Sequence, residues 1–305
     1  MKPRVTFIVN RKIKQRKHLI KLIEETFYDY PKIIVQTEFR YHAMLLAEQL
    51  SDSSDYIIAV GGDGTVNEVV NGLMNLPDSK INRLVLGVLP AGTGDDFARS
   101  LKLAMDIKQL KQLIDNDSYR RISVGLIKYQ TTYDKEAQRY FVNIGEVGLG
   151  ANTVRLMSFS PRLLGSSASF IASALQVFMT FKYPYIKLRA DTVQWHGRIT
   201  LVAFANAAYF GGGLGIAPGA SPYDDKLKLV VVEDISATEF LRNLHNLKAA
   251  KPIEHPKIHY YETSTVEIEP SEKSILYVEA DGEFLGKAPV SVSILPKKLK
   301  MLTIV

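Results

Sequence analysis

Two short strings in this chain combine glycine, threonine and aspartate in a way that suits phosphate chemistry. Gly61-Gly62-Asp63-Gly64-Thr65 follows an apolar run at 56–60, and helix-like spacing begins at Val66. Glycines at the carboxyl end of a strand let backbone N–H groups approach phosphate oxygens, and a following helix N-terminus adds partial positive charge. An aspartate cannot itself welcome a phosphate, so Asp63 suits Mg²⁺ or a water bound to it. The arrangement recurs where the run 84–89 leads through Pro90 and Ala91 into Gly92-Thr93-Gly94-Asp95-Asp96, then Phe97-Ala98-Arg99 and a short helical stretch. Two such corners on adjacent parallel strands face one crevice, where open α/β sheets bind ligands. A lone glycine string is commonly a tight turn. Asn67 and Glu68 directly after the first string, and Gly, Thr and Asp together in both, weaken that reading here.

Other phosphate-handling patterns are missing. There is no GxxxxGK[ST], so this is not a P-loop enzyme, and the HRD and DFG strings of protein kinases are also absent. A third acidic string, Glu279-Ala280-Asp281-Gly282-Glu283, stands late in the chain. Taken alone, Asp281-Gly282 is a favoured hairpin turn between strands at 275–278 and 290–294, and Asn at 281 would suit that turn equally well. Asp224-Asp225 reads equally as a solvated turn before a strand. The six histidines show no paired metal-ligand spacing.

The elements that must position these residues fall into two patterns. Apolar, β-branched runs at 5–9, 33–35, 56–60 and 84–89 alternate with helix-like spacing at 19–27, 42–50 and 66–74. That alternation predicts a parallel sheet covered by helices on both faces. After about Arg121 the pattern becomes strand-rich, with runs at 140–144, 186–190, 199–205, 227–232, 265–268, 275–278 and 290–294 and helical insertions near 150–182 and 236–250. The expected fold class is α/β, with an N-terminal parallel α/β domain over 1–125 and a mostly antiparallel β domain over 126–295.

The bulk composition agrees with a globular protein: 305 residues, 46% hydrophobic and 23% charged, enough for two domains. With no cysteine, disulfides and cysteine metal sites are excluded, and a cytoplasmic location is the default. The apolar run at 5–9 is too short for a secretory leader. Part of the formal charge of +6 lies in Arg11-Lys12-Ile13-Lys14-Gln15-Arg16-Lys17-His18. Such a run is either a solvated surface or a patch for an anionic membrane, where each Lys or Arg adds about 1 kcal/mol. No nucleic-acid module accompanies it, so nucleic acid is not an expected partner. The uncharged stretch 163–181 is long enough to span a bilayer. Its Gly165, four serines, Gln176 and Thr180 argue instead for a packed helix between domains, or one touching lipid.

The motifs together resemble the diacylglycerol kinase catalytic-domain family, which also holds bacterial lipid kinases and sphingosine and ceramide kinases. The resemblance runs through GGDGTVNEVVNGL (61–73), LPAGTGDDFARSL (89–101), NIGEVGLGA (143–151), the block of Asn206, Gly211 to Gly213, Pro218 and Ala220, and EADGE (279–283), covering nearly the whole chain. It implies an α/β nucleotide-binding domain and a β-sandwich-like lipid-substrate domain, with a last strand within 296–305 returning to the first. It further implies ATP and Mg²⁺ as cofactors, and transfer of the γ-phosphate to a membrane lipid hydroxyl, most simply diacylglycerol giving phosphatidic acid. The enzyme would then work peripherally, in transient contact with the anionic inner face of the membrane. A homodimer is left open.

By the same resemblance Asn10, Gly61, Gly62, Asp63, Gly64, Thr65, Glu68, Gly92, Thr93 and Asp96 are nucleotide-binding. Asp281 and Asp63 are catalytic, Asp281 as general base. Asp96, Glu283 and Asp224 are metal-associated. Three departures stand out. Asp95 replaces a common Asn, Asn10-Arg11-Lys12-Ile13-Lys14 replaces NPxSG, and Ser123 replaces an Asp that supports a second metal near Asp224-Asp225-Lys226-Leu227. Two rivals remain: an NAD kinase, which shares GGDGT, and a catalytically silent nucleotide- or lipid-binding regulator, which the altered Asp95 and Ser123 would suit.

Overall fold

The computed structural model describes residues 2–103, 106–159, 166–191, 193–271 and 274–304. The chain forms two compact units, Met1–Ser123 with Lys297–Val305, and Val124–Pro296. It is a mixed α/β protein with a C-terminal β domain.

The first unit contains β1 (Val5–Val9), α1 (Arg16–Thr26), β2 (Lys32–Gln36), α2 (His42–Gln49), β3 (Tyr56–Gly61), α3 (Asp63–Met74), α4 (Asp78–Ile81), β4 (Val85–Pro90), α5 (Asp96–Ser100) and α6 (Ile107–Asp115). β1 pairs in parallel with β2 and β3, and β3 in parallel with β4. Lys300 and Met301 add a further parallel partner beside Val85 and Leu86. β1 and β3 are buried along their whole length, as expected of strands covered on both faces, whereas β2 has a single neighbour and is half-buried. Phe7 meets Phe27 of the α1 C-cap edge to face, with centroids 5.0 Å apart. α3 begins at Asp63, three residues before its apolar periodicity, so Asp63, Gly64 and Thr65 form its first turn.

β5 (Tyr119–Gln130) crosses into the second unit. There follow β6 (Glu136–Phe141), β7 (Ile144–Gly148), α7 (Leu149–Ser158), α8 (Ser166–Phe178), β8 (Tyr185–Ala190), β9 (Val193–Ala205), β10 (Tyr209–Phe210), β11 (Leu214–Gly215), β12 (Leu227–Glu233), α9 (Ala237–Lys248), β13 (Ile258–Thr263), β14 (Thr265–Pro270), β15 (Tyr277–Ala280) and β16 (Glu283–Leu302). The order β13-β12-β9-β7-β15-β16 is antiparallel throughout, and β8 and β14 link β9 to β16 on a second path. Alternation along β9 and β12 divides the core. Val202, Phe204, Leu229 and Val231 face one apolar cluster shared with β8, β14 and β16, while Leu201, Ala203, Val230 and Val232 face another that includes Phe170 and Leu247.

Three expectations shift. The run 140–144 is interrupted between β6 and β7, because the N–H groups of Val142 and Asn143 donate to the Asp281 carboxylate instead of a strand partner. The late hairpin is tighter than its predicted strands, with β15 and β16 joined by Asp281-Gly282 alone and Ala280 opposite Glu283. The uncharged stretch yields α8, whose Phe170 and Ala174 are buried, while residues 163–165 lie outside the described residues. Among the described residues no helix is long and apolar enough to cross a membrane.

Candidate functional site

In the first unit the two glycine corners meet. A Cβ on Gly92 would lie 2.5 Å from the Gly62 Cα, and one on Gly62 would lie 3.1 Å from the Gly92 Cα, so neither loop accepts a side chain at this crossing. The Ala91 N–H donates to the Gly61 carbonyl at 3.1 Å, extending the β3–β4 ladder into the corner. Asn10, at the end of β1, donates its Nδ2 to Thr65 Oγ1 at 2.8 Å and accepts the Lys12 N–H at 2.9 Å. Thr93 is exposed, Gly64 opens onto free space, and at the start of α3 the Thr65 N–H donates to the Gly62 carbonyl at 2.9 Å while Asp63 and Gly64 have no earlier helical carbonyl for theirs.

The carboxylates of this corner tie it together. Asp63 accepts the Asp96 N–H on Oδ2 at 3.1 Å and the Phe97 N–H on Oδ1 at 2.9 Å, which fastens the start of α5 to the start of α3. Asp95 sits at φ +50°, a left-handed conformation that Asn and Asp tolerate best, and accepts the Gly92 N–H at 3.1 Å. Burial, and then the neighbouring charge of Asp63, push the Asp95 carboxyl above the usual range. Asp96 is itself buried, at 5% exposure. Glu68, expected among the nucleotide-binding residues, accepts the N–H groups of Tyr41 at 3.0 Å and Ala43 at 3.1 Å on its two oxygens and so caps α2.

In the second unit, Asp281 (φ +49°) and Gly282 (φ +75°) make the tight turn. The Asp281 carboxylate accepts three backbone N–H groups, from Val142 at 3.0 Å, Asn143 at 2.9 Å and Ile144 at 3.1 Å. Asn at this position therefore does more than preserve a turn, because its amide would set N–H against N–H on one side. Glu283 pairs with Arg139 at 2.8 Å, both largely buried. Asp224 is exposed in a shallow recess lined also by Asp225, Glu262, Lys226 and Lys228, and Lys228 pairs with Glu262. Among the described residues no three His, Cys, Asp or Glu side chains gather to hold a metal ion. Of the two residues expected to be metal-associated, Glu283 faces the Arg139 guanidinium, and Asp224 stands beside Asp225 with both acids and lysines around it. Ser123 is buried, and its hydroxyl accepts the Lys297 N–H at 3.1 Å.

Two further acids were quoted within motifs but not singled out from sequence. Glu146 on β7 and Glu279 on β15 are directly opposite each other across the ladder, at 1% and 4% exposure. Burial pushes the Glu146 carboxyl up to about 8, and burial together with the charge of Glu146 pushes Glu279 well above its ordinary value. An acid inside an apolar strand, as in Ile144-Gly145-Glu146-Val147, was the available signal.

The diacylglycerol kinase catalytic-domain model matches residues 4–127, and the model of the YegS C-terminal NAD kinase beta sandwich-like domain matches residues 145–303. A diacylglycerol kinase of Bacillus subtilis is 31% identical over 77% of this chain and 73% of its own length. The chain belongs to the diacylglycerol kinase catalytic-domain family. A diacylglycerol kinase of Staphylococcus haemolyticus is 29% identical over 88% of this chain and 77% of its own. A crystal structure of a diacylglycerol kinase from Bacillus anthracis strain Sterne superposes with TM-score 0.72 at 22% identity, covering 99% of this chain and 97% of the other, and shares its fold. Membership of this family makes the chain an ATP-dependent lipid kinase.

Proposed function

We propose that this lipid kinase transfers the γ-phosphate of ATP to the free hydroxyl of diacylglycerol, with Mg²⁺, at the cytoplasmic face of a membrane. The observation that carries the nucleotide half is the meeting of the two glycine corners at Gly62 and Gly92, beside the first turn of α3. Side-chain-free backbone at a helix N-terminus favours an anion. Asn10 holds Thr65 in place, Gly61 has no side chain that would collide with Thr65, and Gly64 and the exposed Thr93 leave room for phosphate oxygens.

The donor set in this corner suits Mg²⁺. Asp63 and Asp95 repel one another, which a cation would relieve, and Asp96, which follows Asp95 in sequence, donates its N–H to Asp63. Mg²⁺ is usually held by one or two carboxylates with phosphates and water, so a full protein cage is not required. When bound, it supplies charge neutralisation on the transferred phosphoryl group. Asp63 and Asp96 are the residues we assign to it, and no step is assigned to Glu283 or Asp224.

In the second unit, Asp281 accepts the proton of the attacking hydroxyl. The hydroxyl oxygen forms the new bond to the γ-phosphorus, and the bond to the bridging oxygen breaks to release ADP. The three N–H donors hold the Asp281 carboxyl group in place. Arg11, Lys12, Lys14 and Lys17 are exposed, and this supports peripheral contact with anionic lipid.

The test is transfer of radiolabelled γ-phosphate from ATP into a total lipid extract, with dioleoylglycerol and NAD as separate acceptors. A labelled phosphatidic acid band is the expected result. Labelled NADP with no labelled lipid would favour the rival that the sandwich-domain likeness suggests. Bound ATP with no transfer to any acceptor would mark a silent regulator.

A further inference from the structure

Asn206 directly follows β9, at 1% exposure, where Ala205 is the partner of Ile144 across the β7–β9 ladder. One step further along, the regular ladder gives way. The N–H groups of Val142 and Asn143 turn to the Asp281 carboxylate, while the N–H groups of Asn206 and Ala207 both donate to the Asn143 carbonyl, at 2.9 and 3.0 Å. The Asn206 side chain adds a bond to the same stretch, from its Nδ2 to the Val142 carbonyl at 2.8 Å.

The consequence for Asp281 follows from the rigidity of the peptide unit. Carbonyl and N–H of one trans peptide lie in a single plane and point opposite ways, so fixing the carbonyl end aims the N–H end. The Val142 carbonyl shares its plane with the Asn143 N–H, and the Asn143 carbonyl with the Ile144 N–H. Those two N–H groups are the donors to Asp281 Oδ1, at 2.9 and 3.1 Å. Asn206 therefore grips, at their far ends, both peptide units that hold this oxygen, one through its side chain and one through its own N–H. The Ile144 carbonyl closes the loop by accepting the Asp281 N–H at 2.8 Å. Val142 and Asn143 are 1% and 4% exposed, so bulk water is not at hand to replace a donor that is removed.

We infer that Asn206 is a positioning residue for phosphoryl transfer, acting through the Val142–Asn143 and Asn143–Ile144 peptide units to set where the Asp281 carboxylate meets the attacking hydroxyl. The inference rests on the reading of Asp281 as general base and names what holds that base in register. The residue type fits the task. An amide supplies an N–H donor on a short planar side chain, whereas an ionised Asp of the same shape offers only acceptors to the Val142 carbonyl, and the Ser hydroxyl stops short of it.

The full chain is to be tested as Asn206→Ser and Asn206→Asp, each alone and combined with Asp281→Asn, by steady-state transfer of radiolabelled γ-phosphate from ATP to dioleoylglycerol, with thermal unfolding of every preparation. In the single variants kcat should fall about 10–100-fold with the KM for ATP unchanged, since misplacing a reacting group by about 1 Å costs on the order of 10²-fold. Asn206→Asp should lose more than Asn206→Ser, because it sets acceptor against acceptor. In the Asp281→Asn background neither change should lower kcat further, because both act on the same group. Asn206→Ser keeps a small polar side chain and decides the matter if Asn206→Asp does not fold. A folded Asn206→Ser with parent-like kcat overturns the inference. So does a loss that multiplies with that of Asp281→Asn, which would mark Asn206 as a support for the fold alone, and so does a loss confined to the KM for ATP. Full turnover by Asp281→Asn defeats the general-base reading itself, whereas a crippled Asp281→Asn beside a parent-like Asn206→Ser defeats only the role of Asn206.

Discussion

Asp63 and Glu146 both stand at glycine-bearing strand-to-helix corners, one in each unit, and their surroundings treat them in opposite ways. Asp63 is half-buried, and each of its oxygens takes an N–H from the start of α5. Glu146 is fully enclosed, takes one N–H from Gly150, and is pushed toward the neutral form by burial. The contrast teaches that motif glycines do different work. At Gly62 and Gly92 they bring two backbones together, and at Gly150 the missing side chain makes room for an acid that reaches back from the preceding strand.

The largest effect is expected where a carboxylate combines both situations. Asp281→Asn should lower kcat on diacylglycerol by roughly 10²–10⁴-fold, the usual share of general acid–base catalysis. It should also lower the melting temperature, because one of three N–H donors loses its acceptor. A variant with full turnover would remove Asp281 from the chemistry, whatever its stability.

Asp63→Asn probes the other extreme. Its amide can serve only one of the Asp96 and Phe97 N–H groups, so about 1 kcal/mol of capping stability should go. Turnover should fall on the order of 10²-fold with a raised Mg²⁺ requirement, since the role is electrostatic. Parent-like Mg²⁺ dependence would leave Asp63 as a cap alone.

The buried acid can be read by pH. The Glu146 carboxyl is raised from 4.5 to about 8 in the folded chain, so the stability of its neutral form is complete below pH 4.5 and lost as pH rises through about 8. Urea midpoints of Glu146→Gln should therefore hold steadier than the parent's between pH 5 and pH 8, a difference of at most ~1.4 kcal/mol per pH unit. Parallel curves for the two proteins would contradict the enclosed setting of Glu146.

The smallest effect belongs to exposed charge, which neither corner involves. Replacing Lys12, Lys14, Arg16 and Lys17 by Gln should weaken binding to anionic vesicles in a salt-dependent way and leave the melting temperature nearly unchanged. Unchanged vesicle affinity would make the run an ordinary solvated surface.

Much of this was legible in the residues themselves. Apolar runs located β1, β3 and β4, because a strand covered on both faces reads as an unbroken hydrophobic stretch, and the strings at 61–65 and 92–96 announced the two corners. The resemblance marked out the family, and Asp-Gly marked the turn at 281. What only the tertiary structure decided is where each carboxylate finds its partners. Glu68 caps α2, Glu283 meets Arg139 at a separation of 144 residues, and Asp281 takes N–H groups from residues up to 139 positions earlier, interrupting a run that the sequence presents as one strand. The pairing of Glu146 with Glu279 likewise follows from strand register. Local spacing records which residue types stand together along the chain, but solvation and hydrogen bonding depend on what the rest of the chain brings alongside, and these determine whether an acid is a cap, a base or a buried neutral group.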